Sequence, residues 1–263
     1  MNSPLRITSR DNPLLVRVRK LARGASVRRL GAAESEMWLE GEHLCAALKL
    51  RGWQATQALV SESAWLQPRV REVVEGVLRV AVIPDALFAG LSALESPAGI
   101  GFLCPVPSPL AMRPEASSVV LDRLQDPGNV GSILRTAAAM GFTQVLAMRG
   151  TVALWSPKVL RAGMGAHFGL MLYEGLQPAD LDVLKVPMLG TSLQAQAMLH
   201  SSALPSPCAW VFGHEGRGVD PGMLARCALQ VRIAQPGGEE SLNVAAAAAV
   251  CLYESCRQAL AGR

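Results

Sequence analysis

The six cysteines of this chain, Cys45, Cys104, Cys208, Cys227, Cys251 and Cys256, include no C-x-x-C pair and lie in otherwise apolar stretches. That excludes a sequence-readable zinc site or disulfide framework and predicts small hydrophobes in a reducing compartment, so a cytoplasmic location is expected. The four histidines (His43, His167, His200, His214) are scattered and form no ligand pair, so no metal is expected. Long apolar runs are lacking too. The longest, 244–253, is ten residues and mostly alanine, about half of what a bilayer span needs. It predicts a buried helix, and no membrane partner is expected. Neither G-x-G-x-x-G nor G-x-x-x-x-G-K-[ST] occurs, which removes the sequence basis for a dinucleotide site, a nucleoside triphosphate site or a Rossmann-type methyltransferase.

What is present is an uneven charge. Arg6, Arg10, Arg17, Arg19, Lys20, Arg23, Arg28 and Arg29 stand against a single acid, Asp11, so the first 29 residues carry +7 and the rest −3 of a net +4. Such asymmetry is the footprint of a polyanion partner; a solvated basic helix or an Arg-rich targeting segment would look the same. An apolar core as in a secretory signal is missing from this stretch. At 263 residues the chain can form one large domain or two of ordinary size. Pro105, Pro107, Pro109 and Pro114 mark the break, since proline-dense segments are semi-rigid and extended. The expected layout is a basic arm at 1–30, a small α/β/α domain at 31–104, a linker at 105–116 and a larger domain at 117–263. In the small domain, strands are expected at 58–60, 77–83 and 100–104 and helices at 42–51, 70–75 and 86–91. Beyond the linker, apolar runs at 118–121, 144–147, 170–173, 187–189, 209–212 and 229–233 alternate with helical patterns. This predicts a mostly parallel sheet covered on both faces, in the α/β class.

Three segments carry chemistry. Residues 121–139 run from an apolar strand through Asp126-Pro-Gly-Asn129 into a helix that includes Arg135. Pro127-Gly128 supplies a turn, Asn129 is a candidate helix N-cap, and an amide and a guanidinium are presented at a strand's carboxyl end, where open α/β sheets keep their ligands. Gly213-His-Glu-Gly-Arg-Gly218 follows another apolar strand, and its glycines would let backbone approach and donate N–H groups to a flat ligand. Pro236-Gly237-Gly238 and Glu239-Glu240-Ser241-Leu-Asn243 precede the alanine-rich helix, which Ser241 or Asn243 could cap. A fourth segment, 156–168, carries Lys158 and Arg161 as candidate phosphate contacts or as a solvated face.

In order and spacing these segments resemble the SpoU/TrmH family of SPOUT RNA 2′-O-ribose methyltransferases, over residues 117–257. The resemblance implies a C-terminal α/β domain with a trefoil knot, a homodimer, S-adenosylmethionine as cofactor and the ribose 2′-hydroxyl of an RNA as acceptor. It implies Asn129, Arg135, Glu215, Ser241 and Asn243 as the catalytic set, and Thr191, Gly213, Ile233 and Leu242 at the cofactor. RNA would be gripped by Arg6, Arg10, Arg17, Arg19, Lys20, Lys158 and Arg161. Ile7-Thr-Ser-Arg-Asp-Asn-Pro13, Leu39-Glu-Gly-Glu-His43 and Ser96-Pro-Ala-Gly-Ile100 resemble the ribosomal-protein-like substrate-binding domain of many members. A globular domain of that kind favours ribosomal over transfer RNA. The third motif departs from the family's usual I-P-M, reading Ile233-Ala-Gln-Pro236, and Ala245 replaces a frequent serine. The alternative from another class is a catalytically silent RNA-binding dimer, which would have no need of Asn129, Arg135, Glu215 and Asn243 together.

Overall fold

The computed structural model describes residues 4–24, 27–28, 35–108, 110–237 and 241–262. Arg29, Gly238, Glu239 and Glu240 lie outside them. The chain forms two compact units: residues 1–108 with 155–168, and residues 109–154 with 169–263.

In the first unit the strands are β1 (Leu5–Arg6), β2 (Val27–Arg28), β3 (Ser35–Glu40), β4 (Gln57–Ser61), β5 (Val80–Ile83) and β6 (Ile100–Pro105), ordered β1-β5-β4-β6-β3-β2. The pairs β1–β5 and β5–β4 are parallel and the rest antiparallel. The helices of this unit are α1 (Pro13–Ala22), α2 (Glu42–Leu50), α3 (Glu62–Trp65), α4 (Pro68–Val74) and α5 (Asp85–Ala89). The sequence pattern missed β1, β2, β3, α1 and α3. β3 escapes notice because Ser35, Glu36 and Glu40 interrupt its apolar residues, yet Glu36 through Glu40 are all buried.

The basic N-terminal stretch is built into this unit rather than attached to it as an arm. Asn12 caps α1, its side chain accepting from Leu14 N at 3.0 Å, and Pro13 occupies the first turn. Leu15, Val18, Leu21 and Ala22 are buried in one core cluster with Trp38, Leu59, Ala81 and Phe88. The helix therefore puts its aliphatic face into the core and its arginines outside. Arg17 is the exception among the expected RNA contacts: it is only 30% exposed in its side chain and pairs with the buried Glu36 at 3.3 Å. The segment 155–168 also belongs here. Its helix α7 (Pro157–Gly163) buries Val159 and Leu160, and Leu160 and Phe168 join the cluster around Met37, Leu39, Cys45 and Phe102.

The second unit contains β7 (Ser118–Asp122), β8 (Gln144–Met148), β9 (Met171–Leu176), β10 (Met188–Thr191), β11 (Ala197–Met198), β12 (Ala209–Gly213) and β13 (Leu229–Arg232). Their order is β11-β13-β10-β12-β7-β8-β9 and every pairing is parallel. β7, β8 and β12 are buried at every position, which explains their near-continuous apolar sequence. The two-residue β11 was not legible in the sequence. Among the described residues three α-helices accompany the sheet: α6 (Pro127–Ala139), α8 (Pro221–Leu224) and α9 (Val244–Ala261). Ser255 of α9 accepts from the buried Trp210 indole at 2.8 Å, tying the alanine-rich helix to β12. The end of the proline-dense stretch is also fastened to this unit: the buried Gln144 side chain accepts from Arg113 N at 2.9 Å and donates to Ser118 Oγ at 2.9 Å, and Tyr173 donates to Ala111 O at 3.1 Å.

All six cysteines are free thiols. Burial pushes Cys104 and Cys251 up to about 12 and Cys208 to about 11, so these behave as small hydrophobes. No helix among the described residues is long and apolar enough to cross a membrane.

Because Leu15 is fully buried, Leu15→Ala is expected to destabilise the protein by about 2–5 kcal/mol. Urea unfolding measures it. A change within about 0.5 kcal/mol, as at an exposed surface position, would mean that α1 does not belong to the core.

Candidate active site

Because all seven strands of the second unit are parallel, the segments after β7, β10, β12 and β13 leave from one edge of the sheet. Three of these junctions are joined by one hydrogen-bond chain. Asn243 Nδ2 donates to Asn129 Oδ1 at 3.0 Å, Asn129 Nδ2 donates to Glu215 Oε1 at 3.2 Å, and Glu215 receives the Asp126 amide at 3.0 Å and the Gln125 amide at 3.2 Å. Burial on its own would raise the Glu215 carboxyl. Hydrogen bonds from its own amide, the Asp126 amide, the Asn129 side chain and the Gln125 amide outweigh that and hold it below the ordinary range.

Local sequence explains each placement. Asp126, not Asn129, is the N-cap of α6: its carboxylate accepts from Asn129 N at 2.7 Å, with Pro127 in the first turn. Capping by Asp126 leaves the Asn129 side chain free to bridge. At α9 the cap is Asn243, whose Oδ1 accepts from Ala245 N at 2.9 Å and Ala246 N at 3.3 Å while its Nδ2 reaches Asn129. One amide thus caps a helix and orients another amide.

The glycine loop after β12 works differently from the sequence expectation. Its amides are turned inward: Gly216 N donates to His214 Nδ1 at 3.0 Å, and Arg217 N and Gly218 N donate to His214 O at 3.2 and 2.8 Å. Gly213 is required because a Cβ there would overlap the backbone of Gly218 and Val219. The glycines close the loop on itself and so aim Glu215.

Sequence reasoning missed the clasp beneath this loop. The buried Asp122 accepts from Arg123 Nε at 2.9 Å, from Arg123 Nη2 at 3.0 Å and from Asp220 N at 2.7 Å. Arg123 stands at φ 62° and also meets Asp220 at 3.3 Å. An aspartate closing an apolar strand and followed by arginine was the available signal.

Beside the hydrogen-bond chain lies a cavity of about 530 Å³, within the usual range for a small-molecule site of roughly 300–1,000 Å³. Thr191, Gly213, Ile233 and Leu242, which the resemblance assigns to a cofactor, line it together with Ser241, Leu193, Glu215, Leu224, Val231 and Gln235. It combines an apolar wall with hydroxyl and amide groups. The Gln235 Oε1 is buried without a hydrogen-bond partner among the described residues. An enclosed acceptor of this kind fits a ligand that carries both a flat apolar ring and N–H or O–H donors, as S-adenosylmethionine does. Ser241 and Leu242 are exposed.

Arg135 is exposed and stands outside the Asn243–Asn129–Glu215 chain. It lies six residues beyond Asn129, about one and two-thirds turns at roughly 3.6 residues per turn, hence on another face of α6. Lys158 and Arg161 are in the first unit on α7, the former exposed and the latter half-buried. Arg6, Arg10 and Lys20 are exposed, Arg6 facing Glu62 at 3.6 Å and Arg10 facing Asp11 at 3.9 Å; the half-buried Arg19 donates to Arg10 O at 3.5 Å. Among the described residues no group of three or more His, Cys, Asp or Glu side chains could hold a metal ion.

Residues 116–253 match the SpoU rRNA Methylase family, and the chain belongs to that family. It is 32% identical to the 23S rRNA (guanosine(2553)-2′-O)-methyltransferase RlmP of Bacillus subtilis (strain 168) over 82% of this chain and 86% of that protein. A crystal structure of an RNA 2′-O ribose methyltransferase superposes with a TM-score of 0.78 at 32% identity, over 97% of this chain and all of that one. The SpoU methyltransferase AviRb from Streptomyces viridochromogenes, solved with AdoMet, shares the fold at 24% identity and a TM-score of 0.82, over 96% of this chain and 100% of that one.

The Glu215 tether sets a pH dependence. A carboxyl held below its unfolded value contributes stability above that value and loses it as pH falls through the folded one. Lowering the pH below the ordinary glutamate value of 4.5 is therefore expected to release the Gln125 and Asp126 amides, seen as titrating amide shifts by NMR. Glu215→Gln should remove that titration, and its persistence in the variant would assign it to another group.

Proposed function

We propose that the chain transfers a methyl group from S-adenosylmethionine to a ribose 2′-hydroxyl of ribosomal RNA. The observation that carries this is the Asn243–Asn129–Glu215 chain beside a cavity with an apolar wall and an unpaired buried acceptor, in a member of the SpoU family. The cofactor supplies an electrophilic methyl on sulfur. Thr191, Ile233 and Leu242 hold it in the cavity, and Gly213 keeps the wall closed.

The protein's remaining task is to bring the hydroxyl into line and relieve its proton. A guanidinium is permanently charged near neutrality and is a poor base, so Arg135 acts as a clamp: its planar fork grips the neighbouring phosphate and polarises the hydroxyl, whose proton passes to that phosphate or to solvent. Its exposure and its place outside the tether leave it available to RNA. Asn129 and Glu215 fix the start of α6 that carries it, while Ser241 and Asn243 form the floor.

The functional form is a homodimer with a trefoil-knotted second unit. Val250 and Tyr253, exposed on a stripe of α9 that also carries Leu260, line a cavity of about 490 Å³ together with Leu199, Ile233 and Ala249, a surface suited to a second copy of the chain. Supporting the knot, β13 inserts between β10 and β11, which precede it in sequence. RNA is held by the first unit, where Arg6, Arg10, Arg19 and Lys20 share one body with Lys158 and Arg161.

Mapping ribose methylation across total RNA in a strain lacking this protein tests the function, and loss of a mark on transfer RNA alone would redirect it. Arg135→Ala should abolish methyl transfer with S-adenosylhomocysteine affinity unchanged by calorimetry. Arg135→Lys should recover little, because an ammonium lacks the planar fork; near-normal activity of that variant contradicts the clamp.

Replacing both Arg10 and Lys20 by alanine should lower the slope of log affinity against log salt by about 0.7–0.9 per lost phosphate contact. Point substitutions serve better than truncation, which would remove β1 and α1 from the fold. Binding assays from low to moderate salt measure the slope, and an unchanged value excludes these side chains from RNA contact.

A further inference from the structure

Gln235 sits two residues beyond Ile233 in the segment leaving β13, and both line the 530 Å³ cavity. Of its two amide atoms the oxygen is buried without a partner among the described residues. Buried acceptors are nearly always paired, so an unpaired one at the wall of a ligand cavity marks where a ligand donor belongs. S-adenosylmethionine offers donors of three kinds: the exocyclic amine of adenine, the ribose hydroxyls and the α-ammonium. Thr191, Ser192 and Ser241 already line the cavity as hydroxyl partners for a sugar, and Glu215 as a counter-charge for a cation. The same cavity has an apolar part of its lining, with Ile233, Leu242, Leu224 and Val231 suited to the faces of a purine. A flat ring on that wall needs a polar group at its edge, and the Gln235 Oε1 is a buried acceptor of this lining that has no partner among the described residues.

We propose that Gln235 is a specificity residue for the cofactor, its Oε1 accepting from the exocyclic amine of adenine. The inference rests on the cofactor reading of this cavity. A side-chain reader makes the site discriminate by the six-position substituent, because a purine lacking the amine leaves the oxygen buried and unpaired. That penalty is expected to weaken binding about tenfold or more.

The test is calorimetric titration of the full-length protein with S-adenosylhomocysteine and with its 6-desamino analogue, in which purine riboside replaces adenosine. Wild type should prefer the amine-bearing compound by about tenfold or more. Gln235→Met, close in size but with no comparable acceptor, should bind the two alike, and Gln235→Glu, which keeps an acceptor, should retain the preference. Thermal unfolding of each variant, expected to match wild type for a half-exposed loop residue, confirms that the fold is intact. An equal preference in wild type and Gln235→Met overturns the proposal while leaving the cofactor reading intact. Absence of binding heat for S-adenosylhomocysteine in the wild type overturns the cofactor reading and this inference with it. A third titration, with a ribose-deoxygenated analogue, is expected to show the same loss in wild type and in Gln235→Met. If that loss vanishes only in the variant, Gln235 reads the sugar and the adenine assignment fails.

Discussion

The carboxylate of Glu215 is the point on which the site depends. It closes the distance between the segment after β12 and the start of α6 through the amides of Gln125 and Asp126, and through Asn129 it reaches the cap of α9. Three segments far apart in sequence are thereby fixed to each other by side-chain and backbone donors converging on one anion. Hydrogen bonds to an ionised acceptor are stronger than neutral ones. They hold the carboxyl ionised at the pH where a site for a polyanion works.

The parallel sheet makes this convergence available. Parallel pairing sends successive strands out of the same edge, and burial of β7, β8 and β12 on both faces fixes where that edge lies. The Asp122 clasp then locks the far end of the Glu215 loop by receiving the Asp220 amide. Gly213 adds a steric requirement, since no other residue allows the loop's return strand to pass so near. On α9, Ala248, Cys251 and Leu252 are fully buried, with Ser255 placed to receive Trp210.

In the first unit, charge and packing share a single helix. α1 presents aliphatic residues inward at Leu15, Val18 and Leu21 and basic residues outward, so the positive surface is carried on a rigid element rather than on a tether. Arg17 shows the limit of reading charge from sequence, because its position facing Glu36 turns it from a surface cation into half of a partly buried ion pair.

The sequence by itself determined the strongly periodic and apolar elements, the central strands of the second unit and the alanine-rich helix, since hydrophobic period is a local property; the burial expected of that helix is limited to Ala248, Cys251, Leu252 and Ser255, while Ala246, Val250 and Tyr253 are exposed. The family resemblance implied work for Asn129, Glu215 and Asn243, two of which the local pattern alone offered as helix caps. Only the tertiary structure decided what each does. Asp126 takes the cap of α6, and the bridge that the freed Asn129 then makes depends on Glu215, 86 residues away. The glycine loop turns its amides inward because His214 is there to receive them. The polar-interrupted strand β3 and the two-residue strands β1 and β11 are set by their neighbours in the sheet, not by their own sequence. The same is true of 155–168, which lies between strands of the second unit in sequence but packs in the first, because Leu160 and Phe168 find their apolar partners there.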